Sequence, residues 1–100
     1  MKQPRIIHIN GKRWFDRRNG NTYHSVKAWA DGALVFDCPF AYGYEEAYQE
    51  TATDWLTANG YLEGREEYRN GCHEPFWQYA ERKGIKYAFD VADVGRKADL

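Results

Sequence analysis

Apolar and polar residues alternate along the first third of the chain. Ile7, Ile9, Arg13 and Phe15 share one parity, and His8, Asn10, Lys12 and Asp16 share the other. A period of two belongs to a strand with one buried face. Three turn signals punctuate the stretch, Asn10-Gly11, Asn19-Gly20 and Asp31-Gly32. These dipeptides accept the positive φ values of tight hairpin turns. Read literally, they divide the region into four strands, 5–9, 12–18, 21–30 and 33–38. The parity that continues across Gly11 favours one long strand instead, 5–17, with Gly11 as a bulge, because a five-residue first strand would be a weak partner. Asn19-Gly20 and Asp31-Gly32 are turns in both readings, and Pro39 and Gly43 end the meander.

The period then changes. Tyr44, Ala47, Tyr48, Thr51, Ala52, Trp55 and Leu56 recur at three- and four-residue spacing, which predicts a helix over Tyr44–Asn59. Glu45, Glu46 and Glu50 crowd its start, where the helix dipole favours negative charge, and Asn59-Gly60 stops it. Residues 61–73 read as a polar connector with a helical turn at 63–69. Pro75 suits the first position of a second helix, 75–83, with Phe76, Tyr79 and Ala80 as its buried stripe and Gly84 as its stop. Ile85, Tyr87, Phe89 and Val91 alternate with Lys86, Ala88, Asp90 and Ala92, which predicts a half-buried final strand. Gly95–Leu100 reads as a polar, frayed tail. The expected class is α+β: an antiparallel β-meander of three to four strands, two helices packed on one face, and a C-terminal strand in an antiparallel sheet.

One hundred residues suffice for a single domain, 1–100, but not for two. Aromatic residues make up 17% of the chain, enough to build the core or to furnish a contact surface, and the core is the default expectation. No apolar run approaches the roughly 20 residues that span a bilayer. The N-terminal segment lacks a secretory apolar stretch, and Cys38 and Cys72 fit a reducing compartment. The expectation is a cytoplasmic protein with no membrane partner.

The net charge of −1 conceals a segregation. Residues 1–43 carry seven Lys/Arg against three Asp; residues 44–81 carry nine Asp/Glu against two Arg; residues 82–100 carry five Lys/Arg against three Asp. A basic first part and an acidic middle make a dipolar molecule if they form separate surfaces, and a neutral one if they interleave.

Little in the chain signals catalysis. His8, His24, His73, Cys38 and Cys72 are scattered, with no C-x2-C or H-x3-H spacing, so no metal or other cofactor is expected. His24 and Ser25 are neighbours on a strand and therefore point to opposite faces. Glu45-Glu46 and Glu66-Glu67 look like solvated carboxylates, and no phosphate-binding glycine loop or zinc-protease motif occurs.

Binding is better marked. Lys12, Arg13, Arg17, Arg18 and Lys27 interleave with Trp14, Phe15, Tyr23 and Trp29 along the first hairpin. That composition suits stacking of single-stranded nucleic acid on a sheet, and equally a protein interface, where Trp, Tyr and Arg dominate. A sequence pI near 6.3 argues against general phosphate affinity. The candidate binding residues are Arg13, Trp14, Arg17, Arg18 and Tyr23, with Glu45, Glu46 and Glu50 as an acidic second surface. Self-association through an exposed edge strand is a further route to function.

The runs RWFDRRNGNTYHSV (13–26), PFAYGYEEAYQETA (39–52) and WQYAERKGIKYAFDVADVGRKADL (77–100) resemble small accessory proteins carried by tailed bacteriophages. The resemblance implies a protein made inside an infected bacterium. Such proteins bind host proteins or nucleic acid, and some block host defence. It assigns no catalytic or ligand residue. The combined expectation is a non-enzymatic accessory protein that binds a host protein, among them defence and nucleic-acid-processing components. The alternative is single-stranded nucleic-acid binding through the hairpin 12–29.

Overall fold

The computed structural model describes residues 4–43, 45–65 and 74–100. Within them the chain is α+β. Strands β1 (Ile6–Asp16), β2 (Asn21–Ala30) and β3 (Ala33–Tyr42) form a meander. Helices α1 (Ala47–Ala58) and α2 (Phe76–Lys83) follow, then strand β4 (Lys86–Val94) and a 3-10 turn, Lys97–Asp99. The sheet order is β3-β2-β1-β4.

The long-strand reading of the N-terminus is the observed one, with a correction. Pairing between β1 and β2 runs without a shift from Ile7↔Ala30 to Asp16↔Asn21, and Gly11 sits in register opposite Val26. Gly11 is therefore not a bulge. Its missing side chain makes room: a Cβ there would lie 2.5 Å from Cδ2 of Tyr48 on α1. The two hairpins turn differently. Asp31 and Gly32 both hold positive φ, 51° and 84°, as a two-residue type I′ turn requires. Asn19-Gly20 instead closes a four-residue loop, 17–20, in which the Gly20 N–H donates to the Asp16 carbonyl at 2.8 Å.

β3 passes through Pro39 instead of ending before it. It is an edge strand, and its pairing with β2 shifts register between His24/Val26 and again between Ala28/Trp29. Pro39 falls in the first of these irregular stretches, where no ladder hydrogen bond needs its absent N–H. β4 corrects a second expectation. It joins β1 in parallel, from Ile6↔Lys86 to Trp14↔Val94, so the sheet is mixed. The connection from β3 to β4 runs from one edge of the sheet to the other and lays both helices on a single face.

α1 starts at Ala47, three residues later than the apolar stripe predicts. Glu45 holds φ 55°, in the left-handed region, and interrupts a right-handed turn there. Glu45 and Glu46 thus precede the helix, and Glu50 lies in its first turn. α2 buries Phe76, Tyr79 and Ala80, and Gly84 ends it in the left-handed conformation. Of the connector, residues 61–65 are described. The expected helical turn at 63–69 falls among them only at 63–65; the rest of it, with Glu66 and Glu67, lies outside the described residues, as do Cys72, His73 and Tyr44.

The core lies between the sheet and the helices. β1 and β2 contribute Ile7, Ile9, Gly11, Val26, Ala28 and Ala30, and the helices contribute Tyr48, Ala52, Leu56, Phe76, Tyr79 and Ala80. Polar groups of α2 and the segment before it are buried with partners. The Glu74 carboxylate, 1% exposed, pairs with the Arg82 guanidinium, which also donates to the Gly64 carbonyl at 2.9 Å. The Tyr79 hydroxyl donates to the Glu63 carbonyl at 2.6 Å, and burial raises its pKa above the ordinary phenol value.

Candidate functional site

β1 and β2 turn their largest side chains away from the helices. Cross-strand pairing puts Trp14 opposite Tyr23, on the parity opposite to Ile7, Ile9 and Gly11. Their rings stack at 5.9 Å and 24°. Tyr23 in turn stacks on Phe40 of β3 at 4.8 Å and 19°, and Tyr42 meets it edge-on at 5.6 Å. Rings at these separations and angles are offset-stacked, and they form a ladder across three strands. The Lys97 ammonium lies 4.9 Å from the Phe40 ring centre and closes one end of the ladder.

The four-residue loop sits beside this ladder. The Asp16 carboxylate accepts from the Arg18 N–H at 3.0 Å and from the Asn19 side-chain amide at 2.8 Å. The Asn19 hydrogen bond is the main reason its pKa lies below the ordinary carboxylate value. Fixing the loop from within leaves Arg17 and Arg18 exposed at its tip. Neither guanidinium is in an ion pair among the described residues. Farther down the same face, His8 stacks on Trp29 at 5.2 Å and bonds Asp90 at 2.6 Å. Lys12 and Lys27 are exposed between the two aromatic groups.

Four of the eight sequence candidates thus come together: Trp14, Tyr23, Arg17 and Arg18. Arg13 does not join them. It points to the helix-bearing side, where its guanidinium grips both Asp93 oxygens, at 2.8 and 3.3 Å, and donates to the Glu45 carbonyl at 3.3 Å. That arginine ties β1 to β4 and to the turn before α1. Glu45, Glu46 and Glu50 border a separate open groove of about 670 Å³ on that side, floored by Phe76 and Trp77. Those three glutamates and the basic loop therefore lie on different surfaces.

Phe40, Tyr42 and Lys97 were not legible as site residues. Pro39 masked the strand that carries Phe40 and Tyr42, and no local pattern places a C-terminal lysine over a ring on β3. His24 is fully buried, its ring nitrogens 3.2 Å from the Gly43 carbonyl and 2.8 Å from the Thr51 hydroxyl. Ser25 lies on the opposite face, so the two do not form a nucleophile–base pair. Among the described residues no group of three His, Cys, Asp or Glu could hold a metal ion, and no helix is long and apolar enough to cross a membrane. No protein-family model matches this chain, and no curated protein or solved structure matches it either.

Proposed function

We propose that this chain is a non-enzymatic binding protein whose open sheet face docks on another protein. In the phage setting that the sequence resemblance implies, that partner is a protein of the infected host. The observation that carries the reading is the aromatic ladder, Trp14–Tyr23–Phe40, beside two exposed arginines. Trp, Tyr and Arg are the residues that anchor protein interfaces, because they bury large area with few rotors and keep a polar handle. Their presence on the uncovered face is not needed for the core, which the helices complete from the other side.

The second reading, single-stranded nucleic-acid binding, draws on Lys12, Lys27, Arg17 and Arg18 on the same face. It ranks lower because the chain carries a net charge of −1 and a sequence pI near 6.3, which argue against general phosphate affinity. The test is a titration of labelled single-stranded DNA and RNA at low and physiological salt, beside affinity capture from bacterial lysate. A flat titration is expected, with a protein captured by the native chain and lost from both Trp14→Ala and Arg17→Glu/Arg18→Glu. Saturable oligonucleotide binding that weakens steeply with salt would overturn the first reading in favour of the second.

A further inference from the structure

The two edges of the sheet are not alike. β3 carries Pro39 and two register shifts, irregularities that discourage pairing with another strand. β4 runs nine residues without proline, glycine or bulge, and pairs with β1 along its whole length. The Lys86 N–H donates to the Arg5 carbonyl at 2.9 Å. Lys86, Ala88 and Asp90 therefore turn their backbone groups toward β1, and Tyr87, Phe89 and Val91 turn theirs outward. Ala88, Asp90, Val91 and Ala92 are exposed, Val91 at 39%. An open, regular edge of this kind is a template for another strand.

We infer that the occupant is β4 of a second copy of this chain, paired antiparallel about a two-fold axis normal to the sheet. Such an axis keeps each face on its own side, so residues of like parity must oppose one another. A register centred on Asp90 sets two carboxylates against each other. Registers centred on Phe89 or Val91 set Asp90 against an alanine. The register centred on Ala88 sets Lys86 opposite the partner's Asp90, twice by symmetry, and Tyr87 opposite the partner's Phe89, twice again. It also brings the outward backbone groups of Tyr87 and Phe89 into reciprocal hydrogen bonding. Tyr87, Phe89 and Phe76 already form one ring cluster, with centroids 5.3 to 5.6 Å apart, and the pairing joins two such clusters across the axis. Opposite charges and aromatic pairs directly across strands are the contacts that stabilise a sheet. The result is one continuous eight-stranded sheet with both aromatic ladders on the same side.

The charges supply the test, read by sedimentation equilibrium with circular dichroism to confirm folding. The native chain is expected to reach twice its 11.7 kDa mass as concentration rises. Lys86→Asp, which disturbs no ion pair among the described residues, and Asp90→Lys should each weaken the dimer about tenfold or more, because like charges then meet at two symmetric positions. The combined Lys86→Asp/Asp90→Lys chain should dimerise again. Amide exchange at Tyr87 and Phe89 should slow with protein concentration in the native chain and not in Lys86→Asp. A native chain that stays monomeric at millimolar concentration overturns the inference. So does a dimer indifferent to both single changes, a combined chain that stays monomeric, or protection of the β4 amides that needs a different protein.

Discussion

The two faces of the first hairpin invert the usual distribution of side-chain size. On the covered face β1 and β2 offer Gly11, Val26, Ala28 and Ala30 beside two isoleucines, while on the open face they carry Trp14, Tyr23 and Trp29. The covered face is kept small because the helices bring the bulk: Tyr48, Leu56 and Tyr79 fill the space above it. A high aromatic content therefore does not mean that strand aromatics build the core. Here the buried Tyr and Phe rings, Tyr48, Phe76 and Tyr79, belong to the helices, Phe36, Tyr87 and Phe89 of the edge strands pack half-buried against the core, and the first hairpin keeps Trp14, Tyr23 and Trp29 on its open face.

Substitutions on the two faces should separate stability from binding. Tyr48→Ala removes a ring that is 3% exposed and is expected to cost about 3–5 kcal/mol in a urea melt. A loss under about 1 kcal/mol would mean that the covered face does not depend on helix-borne rings. Gly11→Ala adds a methyl where Tyr48 already stands, at an expected cost of about 1–3 kcal/mol. That cost should shrink in a Tyr48→Ala background, and a double-mutant cycle that shows simple additivity would contradict the contact. On the open face, Trp14→Ala should cost about 1 kcal/mol or less by the same melt, since its stacking partner stays on a half-exposed surface, yet it should abolish partner capture. The smallest effect belongs to Asp16. Its folded pKa is depressed, so its contribution is present above the ordinary carboxylate range and lost as pH falls through the folded value. The acid limb of the stability–pH curve should therefore be shallower in Asp16→Asn than in the native chain, and identical limbs would remove Asp16 as the loop's anchor.

Much of this arrangement was legible because it is local. Parity across residues 5–17 marked β1, the 3–4 stripe marked α1 and α2, and Asp31-Gly32 marked a turn that has the expected dihedral signs. What escaped depends on distant partners. Gly11 looks like a bulge until Tyr48 is seen above it. Pro39 looks like a strand end until β3 proves to be an edge. The direction of β4 is unreadable from its own alternation, because parallel and antiparallel strands share a period of two. The site divided the same way. Trp14 and Tyr23 could be placed together from hairpin pairing, but Arg13 was drawn off by Asp93, eighty residues away.

That separation has a consequence for how the molecule assembles. β1 lies between β2, which follows it almost at once, and β4, whose residues come some eighty positions later. The meander can close on contacts local in sequence, whereas the remaining edge of β1 must await a long loop closure that spans both helices. Folding is then ordered by topology, with the hairpin and its aromatic ladder formed early and the last strand docking late. Synthesis from the N-terminus imposes the same order, so until Lys86–Val94 arrives each new chain exposes the flank of β1.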